Sequence, residues 1–321
     1  MTTIVIQGAA SAEEVPGIAA IAEAAELRFT VTAEEFRAAL PGADVLLGWD
    51  FAAGGLEEAW PRAGDLRWIQ WCGAGVNAAL FPGLVQSDVV LTNARGIFDR
   101  AMAEYTLGLI IAFAKRFPES YALQARGEWR HRLTEGIEGA RVLVVGVGSI
   151  GREIARLLRA VGMVVEGVGR GARGGDGDFE RIHGQDDLVG CLGEADYVVL
   201  ITPLTAATAG LFGARAFAAM KPSARFINLG RGQLIDEAAL IAALDAGALA
   251  GAALDVFETE PLPADSPLWR HPAVIVSPHM SGDFIGYEAA LAGLFLENFQ
   301  RFRAGEPLRN LVDKALGFAA R

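Results

Sequence analysis

The chain has 321 residues, 52% hydrophobic and 21% charged, with a formal net charge of −11. That length exceeds one ordinary hydrophobic core and points to two domains, and the apolar share excludes an intrinsically disordered chain. The acidic balance argues against a nucleic-acid or anionic-membrane partner, since either needs a basic stripe on the protein.

From the N-terminus, short apolar runs alternate with Ala- and Glu-rich stretches. Strands are expected at residues 4–7, 27–31, 45–48, 68–71 and 89–91, with helices such as 12–26 and 33–39 between them. Strands alternating with helices indicate a parallel sheet covered on both faces. The opening MTTIVIQG has no basic n-region and no small-residue cleavage site, so no signal peptide is expected and a cytoplasmic location is. A long helix is expected at residues 99–115. Its apolar stretch, 105–114, is too short to span a bilayer. A polar segment, 119–138, follows and carries Trp129.

At Arg141 the pattern restarts. Val142-Leu143-Val144-Val145 reads as a strand buried on both faces. Gly146-Val-Gly148-Ser-Ile-Gly151 then opens a helix whose apolar face holds Ile150, Ile154, Leu157, Leu158 and Val161. This is the GxGxxG pattern in its strand–turn–helix setting. The first glycine permits the turn, the second lets backbone approach a pyrophosphate, and the third allows close helix–strand packing. Further strands are expected at 164–168, 197–201, 225–228, 250–254 and 274–276, and a final helix at 284–302. The expected fold is α/β: two doubly wound parallel sheets, with a Rossmann-type nucleotide domain (99–283) inserted in a flavodoxin-like substrate domain (1–98 plus 284–321).

Three strand ends in the second half deliver chemistry. Asn228-Leu-Gly230-Arg231-Gly232 places an arginine between glycines, a fork able to hold a carboxylate bidentately. Asp255-Val-Phe-Glu-Thr-Glu260-Pro261 and Ser277-Pro278-His279 follow the next two strands. Together they offer an anion clamp, a proton donor and a carboxylate that favours the donor's charged form. Lys115, Lys221 and Lys314 are the only lysines, which leaves little room for Schiff-base or P-loop chemistry. Cys72 and Cys191 lie far apart outside any CxxC, which argues against a disulfide scaffold or a zinc site, and no metal is expected.

In order along the chain stand Gly73-Ala-Gly75-Val76-Asn77, Ala103-Glu104, the 146–151 glycine motif, Pro203-Leu204-Thr205, 228–236, 255–261 and Pro278-His279. With this series the chain resembles the D-isomer-specific 2-hydroxyacid dehydrogenases, which include glyoxylate/hydroxypyruvate reductases. The resemblance implies Arg231, Glu260 and His279 as catalytic residues and a homodimer built on residues 99–138, with Trp129 and Tyr121 as anchors. It implies a substrate carboxylate held at Ala74, Gly75 and Val76 together with Arg231 and His279. For the cofactor it implies Gly146, Gly148, Ser149, Ile150, Gly151, Thr202, Pro203, Thr208, Leu229, Gly230, Arg231, Asp255 and His279, with Asp255 on the nicotinamide carboxamide.

Relatives specific for NAD carry an acid at the end of the second nucleotide-domain strand. Here Gly169 stands there, followed by Arg170 and Arg173 in a Gly-rich loop expected to fold over a phosphate, so NADP(H) is expected over NAD(H). The expected reaction is reduction of a small 2-oxo acid, with Trp49 and Phe51 narrowing the substrate pocket. Formate dehydrogenases of this superfamily carry Gln where Glu260 stands, and the acid favours an oxo-acid/hydroxy-acid couple. A phosphite oxidase would need a further cation near residues 73–77. A non-enzymatic corepressor-like NAD sensor is the alternative from another class, without an added tail or basic patch to support it.

Overall fold

The computed structural model describes residues 1–50 and 53–319. The chain divides into two compact units, Met1–Phe98 with Phe284–Arg321, and Asp99–Asp283.

The first unit is built on five parallel strands: β1 (Thr2–Gln7), β2 (Ala25–Thr30), β3 (Val45–Gly48), β4 (Trp68–Trp71) and β5 (Val90–Thr92). Their order is β2-β1-β3-β4-β5, the flavodoxin-like arrangement. Ile4, Val5, Ile6, Leu46, Leu47, Trp68 and Ile69 are fully buried, as near-continuous apolar strands covered on both faces require. The helix Tyr287–Ala304 closes one face, with the Phe295 ring stacked 5.4 Å from Trp68. Asn298 Nδ2 donates to Gln70 Oε1 at 3.0 Å, so the C-terminal helix is tied to β4 by a buried polar bond as well as by rings.

One expected element fails. Residues 12–26 form two short 3₁₀ turns, Ala12–Glu14 and Ile18–Ile21, and β2 already begins at Ala25. The Pro16-Gly17 pair explains it. Val15 is extended ahead of the proline, and Gly17 adopts a left-handed φ of 76°. Two other elements shift in extent. The segment expected to be merely polar starts with the helix Phe117–Ala125, and the last helix begins at Tyr287 rather than 284.

The second unit holds β6 (Arg141–Val145), β7 (Val164–Gly169), β8 (Arg173–Gly174), β9 (Arg181–Gly184), β10 (Tyr197–Leu200), β11 (Arg225–Asn228), β12 (Gly251–Leu254) and β13 (Val274–Val276). The sheet order is β13-β12-β11-β10-β6-β7-β9-β8, parallel except for the β8–β9 pair. Without β8 this is the Rossmann order with one strand added. The strand sequence reverses at β6, where such sheets bind ligands beyond the strand C-termini. Phe212, Phe217 and Phe226 interlock at centroid distances of 4.9–5.9 Å and anchor the core under β10 and β11.

Candidate functional site

The loops after β6, β7, β10, β11, β12 and β13 all leave the same edge of the second sheet, because those strands are parallel. The three glycines after β6 divide the work as their spacing suggests. Gly146 has φ 119°, and a Cβ there would sit 2.7 Å from the Ile201 carbonyl. A Cβ on Gly151 would lie 1.9 Å from the Gly146 oxygen, so no side chain fits between helix and turn. Gly148 faces open space, with nothing within 4 Å of where its Cβ would stand. It caps the helix Ser149–Ala160, and the first intrahelical bond runs from Arg152 N to Gly148 O. The first-turn amides of Ser149, Ile150 and Gly151 thus stand ahead of the intrahelical ladder at a positive helix end, bare of side chain at Gly148. These residues fit a dinucleotide pyrophosphate.

Beside that turn, Thr202 backbone atoms lie under both Gly146 and Gly230. Thr208 spends its hydroxyl locally, donating to the Pro203 carbonyl at 2.8 Å and accepting from the Thr205 amide at 2.8 Å. It shapes the 203–208 loop rather than projecting from it. Leu229 is buried beneath the same edge.

After β7, Gly169 is where the sequence lacks an acid. A Cβ there would approach Val147 Cγ2 at 2.8 Å, so an acidic residue would also need Val147, inside the glycine motif, to move. Arg170 is exposed. The expectation that Arg173 lies on an open Gly-rich loop needs correction, because it sits in β8, paired with Ile182 of β9. Asp176 and Asp178 bind Arg152 at 2.6 and 2.7 Å, and Asp176 lies 3.9 Å from Arg173. Helix and hairpin are therefore pinned together by ion pairs.

Arg231, Glu260 and His279 come together. The fully buried Asn228 accepts from the Gly230 amide at 3.1 Å and donates to the Arg231 carbonyl at 3.0 Å, which fixes the turn that carries the arginine. Gly232 is obligatory: a Cβ there would lie 1.8 Å from the Phe257 carbonyl carbon, so the β11 and β12 loops touch backbone to backbone. Burial pulls the Arg231 guanidinium below its ordinary pKa, and the Glu260 charge opposes that pull. Glu260 Oε1 accepts from the Phe257 amide at 2.9 Å, while Oε2 lies 2.6 Å from His279 Nδ1. Burial works against ionising Glu260. The His279 bond, the Phe257 amide and the Arg231 charge outweigh it and hold the carboxyl below the usual range.

His279 has a left-handed backbone, φ 50°. The carboxylate of Asp255, 1% exposed, accepts from Ser277 Oγ at 2.6 Å and from the amides of Met280 at 3.0 Å and Ser281 at 2.8 Å. Asp283 lies near enough for the Asp255 charge to act on it. Burial first, and Asp255 second, raise its carboxyl pKa, with His279 opposing. Sequence reading named neither Ser277 nor Asp283 as functional. A hydroxyl one residue before Pro278-His279 was the available signal for the first.

In the first unit, the loop after β4 hangs from its carbonyls: Gly73 O accepts from the Ala94 amide at 3.1 Å and Ala74 O from Asn93 Nδ2 at 2.6 Å. Gly75 is half-buried and Val76 buried. Trp49 is half-buried at the end of β3, and Phe51 lies outside the described residues. On the helix Phe117–Ala125 and the chain after it, Tyr121 and Leu133 are largely exposed and Trp129 wholly so. Among the described residues no helix is long and apolar enough to cross a membrane.

Comparison with known proteins finds relatives over most of the chain. The sequence model of the D-isomer specific 2-hydroxyacid dehydrogenase NAD binding domain matches residues 107–281. A glyoxylate/hydroxypyruvate reductase A of Serratia proteamaculans is 33% identical over 261 residues, 79% of this chain and 82% of the relative. An NADPH-dependent glyoxylate/hydroxypyruvate reductase of Sinorhizobium meliloti, solved with NADP and sulfate, aligns with a TM-score of 0.86 at 31% identity, over 99% of this chain and 100% of that one. A D-isomer specific 2-hydroxyacid dehydrogenase of Xanthobacter autotrophicus Py2, solved with NADPH and MES, aligns at 0.81 and 31% identity, over 99% of each chain.

Proposed function

The chain belongs to the D-isomer specific 2-hydroxyacid dehydrogenase family of oxidoreductases, and from that premise we propose that it reduces a small 2-oxo acid, of the glyoxylate or hydroxypyruvate kind, with NADP(H) as preferred cofactor and NAD(H) as the weaker one. The observation that carries the reading is the 2.6 Å His279–Glu260 pair beside a half-buried arginine. When bound, the cofactor supplies a hydride to the substrate's C2. Arg231 binds the substrate carboxylate and polarises the keto oxygen. Its planar guanidinium serves both, which a point charge cannot. His279 gives the oxygen a proton from Nε2, and Glu260 on Nδ1 steadies the charged ring before the transfer and fixes its orientation. Asp255 contributes to the nicotinamide side of the site.

The preference for NADP(H) is supported by Gly169, which leaves no acid to repel a 2′-phosphate, and by Arg170 and Arg173 close behind it. Each charge-assisted contact to phosphate is worth about 1.5–3 kcal/mol before the cost of ordering the arginine is subtracted. Relatives solved with NADP or NADPH point the same way. We further propose a homodimer, because Trp129, Tyr121 and Leu133 expose apolar surface on one segment.

The test is a steady-state panel of 2-oxo acids against NADPH and NADH. At least one small oxo acid should turn over, with kcat/KM roughly tenfold or more higher for NADPH. Arg170→Ala with Arg173→Ala should lower the NADPH value and spare that for NADH. His279→Gln should lower kcat about 100-fold, the usual size of a general-acid contribution. No turnover of any oxo acid, or near-normal turnover in His279→Gln, overturns the assignment.

A further inference from the structure

His279 is one of only three non-glycine residues with positive φ among the described residues, the others being Arg116 and Asn310. A left-handed backbone at a histidine is sparsely populated and persists where its surroundings hold it. Here the holding group can be named. Asp255 and His279 lie on neighbouring strands' loops, with Leu254 in register with Val276. The ladder runs on past the strand ends: Ser277 N donates to Leu254 O at 3.0 Å and His279 N to Asp255 O at 2.8 Å. The Asp255 carboxylate then gathers the two amides that follow the histidine, one on each oxygen. Oδ1 takes, besides, the Ser277 hydroxyl at 2.6 Å.

We propose that Ser277 is a positioning residue for proton transfer: its hydroxyl fixes the Asp255 carboxylate, and that carboxylate clamps the left-handed turn that aims the His279 ring. This rests on the assignment of His279 as the proton donor. The carboxylate is nearly inaccessible to water, so the hydroxyl's place cannot be taken by bulk solvent. Losing it leaves each oxygen with one backbone amide, so the carboxylate is held less firmly against rotation about its Cβ–Cγ bond. A rotated carboxylate releases one of the two amides, and the histidine turn relaxes towards ordinary φ. Among the described residues no hydrogen bond joins Ser277 to the glycine turn after β6, so the phosphate cradle keeps its own hydrogen bonds. The Tyr105 phenol neighbours the same hydroxyl, which adds a second bulky group that the loop would have to accommodate if it moved.

The experiment compares Ser277→Ala and Ser277→Thr with the wild type. Oxo-acid turnover, NADPH affinity by fluorescence titration, and side-chain spectra of histidine-selectively ¹⁵N-labelled protein are recorded for each. The four histidines, His131, His183, His271 and His279, give four sets of signals, assigned with His279→Gln. Ser277→Ala should lower kcat about 10- to 100-fold, the scale of a sub-ångström to 1 Å misplacement of a catalytic group, and NADPH affinity by a smaller factor, because Asp255 stands on the nicotinamide side while the glycine turn after β6 keeps its hydrogen bonds. Its His279 signals should shift or broaden while the other three stay in place. Ser277→Thr keeps the hydroxyl and should restore both. Unchanged kcat and unchanged His279 signals in Ser277→Ala overturn the proposal, as does movement of all four histidines together. The spectra need no substrate, so they judge the brace even if the wild type fails to reduce any oxo acid, an outcome that would instead overturn the assigned reaction.

Discussion

The same substitution at two glycines three residues apart should fail in two different ways. Gly151→Ala would put a methyl carbon 1.9 Å from the Gly146 oxygen and 3.0 Å from its carbonyl carbon. Ordinary contact there needs more than 3 Å, so the helix Ser149–Ala160 must draw back from the β6 turn by over an ångström. The obstacle is backbone and cannot swing aside. Overpacking of this kind costs about 3 kcal/mol, the upper end of the usual range. Alanine's better helix propensity returns about 1 kcal/mol, leaving a net loss of about 2 kcal/mol. For a unit of this size that lowers Tm by roughly 4–8 °C. Gly148→Ala meets nothing within 4 Å, and its φ of −75° suits any residue. The poorer N-cap and the stiffer unfolded chain nearly cancel, at about 0.5–1 kcal/mol each. Its methyl stands instead over the first-turn amides, where a pyrophosphate must approach. NADPH affinity should fall at least tenfold, about 1.4 kcal/mol. Scanning calorimetry without cofactor and fluorescence titration with NADPH separate the two effects. If Gly151→Ala keeps its wild-type Tm, or Gly148→Ala loses as much as Gly151→Ala does, the division of labour between these glycines is wrong.

Glu260→Gln should remove the acid limb of the pH–rate profile. The Glu260 carboxyl is depressed in the folded protein, so its pairing with His279 is fully formed above the ordinary carboxylate range and is lost as pH falls through the lower, folded value. Glutamine cannot ionise, so that acid limb should disappear from the profile. A superimposable profile would make Glu260 structural. Arg231→Lys keeps the charge but loses the planar fork, so KM should rise and kcat fall together. Equal kinetics would mean that charge attraction alone suffices.

Much of this was legible in the sequence because it is local. The glycine motif, the glycine-flanked Arg231 and the proline after Glu260 each announce a strand end within a few residues, and β3, β4, β11 and β13 begin and end where the apolar runs do. The misread helix at residues 12–26 was also a local matter: its Ala and Glu content outweighed a Pro16-Gly17 break that was in plain view. What could not be read depends on pairing between distant segments. Arg173 lies in a strand because β9 passes beside it, and Ser277 matters because Asp255, 22 residues earlier, ends the neighbouring strand. The Val147 methyl that fills the space over Gly169 is a similar case, invisible until β6 and β7 are adjacent.

The three site loops share one backbone frame. Asp255 N donates to Asn228 O at 3.1 Å, and His279 N donates to Asp255 O at 2.8 Å, so the hydrogen-bonded ladder links the starts of the arginine, glutamate and histidine loops. Gly232 against Phe257 closes the first two loops a second time, and the Phe257 amide holds the Glu260 carboxylate from the same point. Arg231 and Glu260 are therefore positioned by one contact between the two loops, and Glu260 in turn orients His279. Such a frame lets charged groups meet a reacting oxygen without reorganising at that moment, which is where preorganised electrostatics gains most over water. It also explains why the sheet's parallel order matters for chemistry here: in an antiparallel sheet the β12 loop would leave from the opposite edge, and Arg231 and His279 would face each other with no carboxylate between them.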